Sequence, residues 1–270
     1  MGASPPNPRA RLRALGLRPR KRLSQAFLED ERVAAAIVRA AQVDSETDVL
    51  EVGPGLGVLT RLLARRARRV VAVEIDAALA EALHTDVGVE VVNQDILAFE
   101  PSEHFGSPYT VVANLPYHIT SPALRHLLNS GPPFARRLVV MVQAEVAQRI
   151  AAQPGDMSAL AVAIQAQARV HILRRVGKDA FYPRPKVDSA LLVLEPLSEP
   201  VIGRDELAAF IRLVQAGFKQ PRKTLANSLA DGLGLARTDA SERLKRAGVD
   251  AGVRPQVLTV EDWVRVFRSV

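Results

Sequence analysis

Asn114-Leu115-Pro116-Tyr117 stands directly after the apolar run 109–113. The Asn side-chain oxygen and the carbonyl preceding a proline are both acceptors, and Pro116 fixes the backbone so that they can converge. Their natural ligand is an amino group that presents two hydrogens. Tyr117 adds a flat face for a base to stack on, worth about 1–3 kcal/mol in single-strand nucleic-acid sites. Chemistry on an exocyclic nucleobase amine needs its lone pair freed from the ring, and two acceptors drawing on its hydrogens assist that. The plainer alternative is a proline turn beside a packed tyrosine. His118 invites a role as base, but a surface or supporting histidine is the expectation.

Three further acceptor-rich points fall near such an ending. Gly53-Pro54-Gly55-Leu56-Gly57 is a glycine-rich turn after Glu51-Val52, and glycine lets a backbone approach a ligand closely because no Cβ intervenes. A dinucleotide fingerprint requires G-x-G-x-x-G, but Val58 stands where its third glycine belongs. Glu74, 21 residues after Gly53, can accept both hydroxyl hydrogens of a ribose. Asp95 can accept from an adenine amino group. Taken singly, the turn can be empty and either acid can cap a helix. Together they describe a pocket for adenosine, and with no G-x-x-x-x-G-K-[ST] in the chain there is no phosphate cradle.

These points need a scaffold that gathers them. Short apolar runs at 48–52, 70–74, 89–92, 109–113 and 138–142 read as strands. Helical stretches lie between them, at 32–38, 58–66, 76–84 and from about 121, with two more at 144–152 and 158–166. Strands alternating with helices predict an α/β fold with a parallel sheet covered on both faces. Ligands bind such sheets beyond the carboxyl ends of the strands, where Gly53, Glu74, Asp95 and Asn114 all fall. After Pro196 the pattern turns wholly helical, over 205–218, 222–229, 239–247 and 259–270, with Thr259 and Asp262 as a helix-start pair. The expected division is a basic arm over 1–22, a catalytic domain over 23–196 and a helical domain over 197–270.

The chain of 270 residues has 48% hydrophobic and 24% charged residues, a soluble globular composition. No apolar run reaches the roughly 18 residues of a membrane span. With no cysteine, disulfides, thiolate zinc sites and cysteine nucleophiles are excluded, which fits a cytoplasmic setting. The five histidines show no metal-ligand spacing, so no metal is expected. The net charge of +7 resides in residues 1–28, which hold seven basic residues and no acid; the rest carries 29 of each sign. Basic arms commonly neutralise nucleic-acid phosphates; a solubilising tail or a transit segment is the alternative. Pro5, Pro6, Pro8 and Pro19 argue against a long helix there.

The motifs as a set resemble the ribosomal RNA adenine N6-dimethyltransferase family. Residues 20–28 (RKRLSQAFL) are similar to its entry motif, and 51–57, Glu74, Gln94-Asp95 and 114–117 match in order and spacing. Residues 181–190 (FYPRPKVDSA) match its late motif, and 218–229 (FKQPRKTLANSL) its C-terminal signature. Two positions depart: the family usually has Asn where Ala26 stands, which removes any side-chain bond to the cofactor, and proline where Arg184 stands, which adds an RNA phosphate contact or nothing.

The resemblance implies a Rossmann-like S-adenosylmethionine-dependent methyltransferase sheet with a small all-helical C-terminal domain. It implies S-adenosylmethionine over Gly53 and Gly55, ribose on Glu74, the adenine amino group near Asp95, and Leu28 closing the site. Asn114, Pro116, Tyr117 and Phe181 would hold the target, with Tyr117 and Phe181 sandwiching a flipped adenine. Arg20, Lys21, Arg22, Arg222 and Lys223 would meet RNA phosphates. The expected activity is dimethylation of N6 on two adjacent adenosines near the 3′ end of 16S rRNA, in the small ribosomal subunit or its precursor, by a monomer. Alternatives are a large-subunit (23S) rRNA methyltransferase of the macrolide-resistance type, a non-catalytic RNA-binding or transcription-factor relative, and a nicotinamide oxidoreductase. Residues 223–229 lean toward the small-subunit branch.

Overall fold

The computed structural model describes residues 7–20 and 23–269, the side chains of Asp86 and His118 excepted. The chain forms two units: one is the chain up to Ala147 with His171–Glu195, the other Gln148–Val170 with the chain from Pro196. The helical unit therefore starts earlier than the expected boundary at residue 197 and is interrupted. The reason is packing: Met157, Ala161, Val162 and Ala166 are buried in one cluster with Phe210, Val214 and Trp263.

The first unit opens with a helix, Pro8–Ala14 (α1), capped by the Asn7 side chain. Pro8 occupies the first turn, where its missing N–H is not needed, so the prolines that disfavour a long helix permit a short one. Phe27–Leu28 (β1) leads into helix Glu31–Ala41 (α2). Asp30 caps α2 by accepting from the Arg32 and Val33 N–H groups, and Val33, Ala34, Ile37, Val38 and Ala41 bury one face. Then come Asp48–Val52 (β2), Val58–Ala64 (α3), Arg69–Val73 (β3), Ala77–Val87 (α4), Glu90–Val92 (β4), Tyr109–Asn114 (β5), Thr120–Asn129 (α5) and Ala135–Gln143 (β6). Helices Ala144–Ile150 (α6) and Ala159–Gln165 (α7) precede Ala168–Val176 (β7), Phe181–Tyr182 (β8) and Ser189–Pro196 (β9).

Seven strands form one sheet in the order β4-β3-β2-β5-β6-β9-β7. Strands β4, β3, β2, β5 and β6 run parallel, and β9 pairs antiparallel with β6. Every residue of β2 is buried, as befits a central strand covered on both faces. The strand order reverses between β2 and β5, which makes the crevice at their carboxyl ends the natural ligand site. A separate two-stranded ladder joins β1 to β8, pairing Phe27 with Tyr182 and Leu28 with Phe181.

The second unit completes its bundle with Arg204–Gly217 (α8), Leu225–Leu233 (α9), Arg237–Arg246 (α10) and Val260–Arg268 (α11) around the fully buried Trp263. Thr259 and Asp262 form the reciprocal cap that starts α11.

Candidate active site

A cavity opens at the carboxyl ends of β2, β3, β4 and β5, holding about 1190 Å³ of empty space with its open mouth included. Its wall takes in Leu28, Gly53, Gly55, Glu74, Asp95, Asn114, Pro116 and Tyr117. Gly53 and Gly55 have φ of 67° and 55°, a left-handed conformation in which a Cβ is strained. At Gly55 a Cβ would also come within 3.1 Å of the Phe27 ring.

Glu74 is 5% exposed. Its Oε1 accepts from the Asp76 N–H at 2.9 Å and its Oε2 from the Gly55 N–H at 3.1 Å, which leaves lone pairs for ligand hydroxyls. Burial pushes its pKa up, and the two N–H groups work against that shift. Asp95 caps a 3-10 turn by accepting from the Leu97 N–H through Oδ1 at 3.0 Å; its other oxygen takes no bond from a described residue. The capping and ligand roles weighed for this acid are thus compatible.

Asn114 closes β5. Its Nδ2 donates to the Ala26 carbonyl at 3.0 Å. Because that partner is itself an acceptor, the amide must turn its nitrogen to it, and Oδ1 is left to accept. The Leu115 N–H donates to the Met141 carbonyl, while the Leu115 carbonyl, immediately before Pro116, takes no bond from a described residue. Two acceptors thus stand beside a tyrosine whose hydroxyl lies 3.2 Å from Ser189 Oγ.

Phe181 is not brought to the cavity. It is 4% exposed, lies in the apolar cluster that holds Leu28, Val33 and Met141, and is absent from the cavity lining. Arg20 places Nη1 3.2 Å from Asp76 Oδ2, and Gln25 donates to the same carboxylate. Lys21, Arg22 and the His118 side chain lie outside the described residues. In the helical unit Arg222 and Lys223 are exposed, with Lys223 Nζ 3.4 Å from Asp231. Arg184 pairs with Asp179 at 2.8 Å. Among the described residues no group of three potential metal ligands occurs.

Four residues with a place in this site were not singled out by sequence reasoning. Phe27 lies against Gly55, and Ile75, 51% exposed, gives the cavity an apolar side next to Glu74; an apolar residue between a strand-end acid and a helix cap was the available signal. Leu12 of α1 is buried with Phe27, Leu56 and Leu79, so the arm's helix packs against the turn that lines the cavity. Beneath that turn Glu51 is 1% exposed, and neither carboxylate oxygen has a hydrogen-bond partner among the described residues. Burial pushes its carboxyl up to about 8; the Thr60 hydroxyl nearby, short of hydrogen-bond geometry, opposes the shift, Glu74 adds to it and Arg61 opposes it. Burial thus favours the protonated, neutral form of Glu51.

A family model described as ribosomal RNA adenine dimethylase matches residues 16–270. A ribosomal RNA small subunit methyltransferase A from Desulfitobacterium hafniense is 43% identical over 261 residues, covering 94% of this chain and 93% of its own. That of Moorella thermoacetica is 40% identical over 284 residues, covering 99% and 98%. Among solved structures, the 23S rRNA methyltransferase ErmE is similar with a TM-score of 0.69 and 32% identity, over 90% of this chain and 98% of its own. A dimethyladenosine transferase from Plasmodium falciparum shares the fold with a TM-score of 0.74 at 24% identity, over 89% and 95%.

Proposed function

The chain belongs to the ribosomal RNA adenine dimethylase family, and on that premise we propose that it dimethylates N6 of two adjacent adenosines near the 3′ end of 16S rRNA. It acts as a cytoplasmic monomer on the small ribosomal subunit or its precursor. The small-subunit substrate is favoured over the large-subunit one by 40–43% identity to small-subunit enzymes against 32% to a 23S enzyme. No helix among the described residues is long and apolar enough to cross a membrane.

The donor set fits S-adenosylmethionine: a glycine turn with a left-handed backbone, a buried carboxylate with open lone pairs for a ribose, and a second acid for an adenine amino group. That cofactor, when bound, supplies an electrophilic methyl group on a sulfonium. Gly53, Gly55, Glu74, Asp95 and Leu28 hold it. Asn114 Oδ1 and the Leu115 carbonyl accept the two hydrogens of the target amine, which draws its lone pair out of the ring, and Tyr117 takes the face of the base. Catalysis is then positioning and polarisation, and the amine sheds its proton to water after it has been methylated. Extrusion of the base, at a few kcal/mol, is offset by stacking. Arg222, Lys223 and the basic arm meet RNA phosphates.

The observation that carries this is the Asn114–Ala26 hydrogen bond, which turns an ambiguous amide into a fixed acceptor. The test is labelled S-adenosylmethionine with unmodified small or large subunits, the label mapped by mass spectrometry. Wild type should deposit two methyls on each of two neighbouring small-subunit adenines, and Asn114→Ala none at either step. An Asn114→Ala protein that folds and turns over like wild type would refute the mechanism; label on the large subunit alone would refute the substrate.

A further inference from the structure

Tyr117 opens a 3-10 turn, Tyr117–Ile119, immediately after β5 and its proline. A side chain in such a short turn has little secondary structure to fix its torsions. Its hydroxyl nevertheless lies 3.2 Å from Oγ of Ser189, a residue 72 positions away in sequence.

Ser189 is the fixed end of this contact. It opens β9, pairs with Gln143 of β6 in the sheet, and is 1% exposed. Its neighbour Asp188 is held three ways: its carboxylate accepts from the Lys178 N–H and from Arg175 Nε, and its carbonyl accepts from the Ala144 N–H. A buried hydroxyl without a partner costs about 1–3 kcal/mol, and Tyr117 is the side-chain partner Ser189 has among the described residues. The serine therefore cannot follow the tyrosine if the tyrosine swings. The tyrosine ring, tied at its far end, keeps one orientation at the cavity wall.

A tied ring matters for a reason specific to the chemistry. Stacking alone tolerates sliding and tilting of a base, because the ring face is uniform. The two acceptors at Asn114 and Leu115 are directional and demand one placement of the amine. Ring and acceptors can serve the same base only if the ring is held at a set angle to them.

We propose that Ser189 is a positioning residue that holds the Tyr117 ring at the angle at which a target base on it presents its amine to Asn114 and Leu115. The proposal rests on the adenine-N6 methylation proposed above. It predicts that loss of the hydroxyl slows methyl transfer while leaving the cofactor bound as before, since Ser189 does not line the cavity.

The experiment is a double-mutant cycle on the full chain, read by single-turnover methyl transfer to unmodified small subunits and by calorimetric binding of S-adenosylmethionine. Ser189→Ala and Tyr117→Phe each remove the same hydrogen bond and keep the ring, so each should slow transfer by roughly 3- to 10-fold. The double variant should be no slower than the slower single one, and the cofactor Kd should stay within twofold. Should Ser189→Ala fail to fold, Ser189→Cys, which keeps the volume and weakens the bond, takes its place in the cycle. Wild-type transfer rates in the serine variant, losses that multiply in the double variant, or a matching loss of cofactor affinity would each overturn the proposal. Failure of wild type to methylate adenine N6 would instead overturn the activity, and it is read before any variant is made.

Discussion

Replacing Glu51 by Gln should remove a pH dependence from the stability of the catalytic unit. The carboxyl is buried and its pKa rises from 4.5 to about 8 on folding. Below pH 4.5 it is protonated folded or unfolded, and burial carries no ionisation penalty. Between 4.5 and 8 the unfolded chain releases the proton and the folded one keeps it, so stability falls as pH rises. At 1.36 kcal/mol per pH unit, the 3.5-unit interval amounts to about 5 kcal/mol, an upper bound because water entry and relaxation cap such penalties. Gln has the same shape and cannot ionise. Glu74, also pushed up by burial, adds a trend of its own in both proteins, and because the two carboxyls interact the difference between the proteins reports Glu51 together with that coupling.

The aromatic residues provide the assay. Tyr109, Tyr117 and Tyr182, the only tyrosines of the chain, lie in the catalytic unit, and the single tryptophan, Trp263, lies in the helical one. Urea unfolding without ligand at pH 5.5, 7 and 8.5, followed by tyrosine circular dichroism, should show the Glu51→Gln protein gaining on wild type at each step. Trp263 fluorescence follows the helical unit in the same samples. Parallel pH curves for the two proteins would mean that Glu51 is ionised in the folded state, and the account of a neutral acid beneath the glycine turn would be wrong.

Glu74→Gln keeps the size of the ribose acceptor and deletes its charge; cofactor Kd should rise roughly 10- to 100-fold, the worth of a charge-assisted hydrogen bond, and an unchanged calorimetric Kd would remove Glu74 from the site. Gly232→Ala would put a Cβ 2.6 Å from the backbone and side chain of Ala216, where α8 and α9 meet. It should destabilise the helical unit by about 1–3 kcal/mol, with the loss in the Trp263 transition; an unchanged transition would show that the helices can separate freely. Arg13 and Arg18 are exposed on the arm, and replacing both by Gln should make log Kd for RNA about 1.4–1.8 less steep in log salt. An unchanged slope would assign the arm's charge to something other than phosphate.

The parallel half of the sheet was legible because its central strands β2 and β5 are buried on both faces. Runs such as 109–113, apolar but for Thr110, and 138–142, apolar throughout, lack the polar alternation of a half-exposed strand. On the far side, the buried apolar run 190–194 of β9 carried the same signal and was not singled out, whereas β7 carried none. In β7, residues 171–175 are all exposed, so HILRR carries no alternation to betray a strand. β1 and β8 have two residues each, too short for any period, yet their ladder holds Leu28, a cavity-wall residue, against Phe181. The site acids and amide were legible since strand ends in such a sheet converge. What stayed hidden was packing: the arm looked like free charge because Arg9, Arg11 and Arg13 dominate it, but Leu12 and Leu17 pack into an apolar cluster with Phe27, Leu56 and Leu79, and Arg9 lies over the Tyr182 ring. Likewise Arg20 was grouped with phosphate-binding cations, and only the fold places Asp76 within its reach.

The departure at Ala26 shows how far a side-chain motif can mislead about a hydrogen bond. Family resemblance puts an Asn at this position and suggests that its loss weakens the site. In the fold, the group of residue 26 that meets Asn114 is its backbone carbonyl, which every residue type possesses. That carbonyl is held by β1, whose pairing with β8 fixes Phe27 and Leu28 just beyond it. The orientation of the Asn114 amide therefore depends on the β1–β8 ladder and not on the identity of residue 26. The same ladder ties Phe27 and Leu28, which line the cavity, to the segment leading to Ser189, whose hydroxyl lies within hydrogen-bond distance of Tyr117. The amide of Asn114 and the hydroxyl of Tyr117 are thus both held from this ladder's neighbourhood, the first through a backbone carbonyl that any residue at position 26 supplies and the second through the Ser189 side chain, which only a hydroxyl-bearing residue can replace.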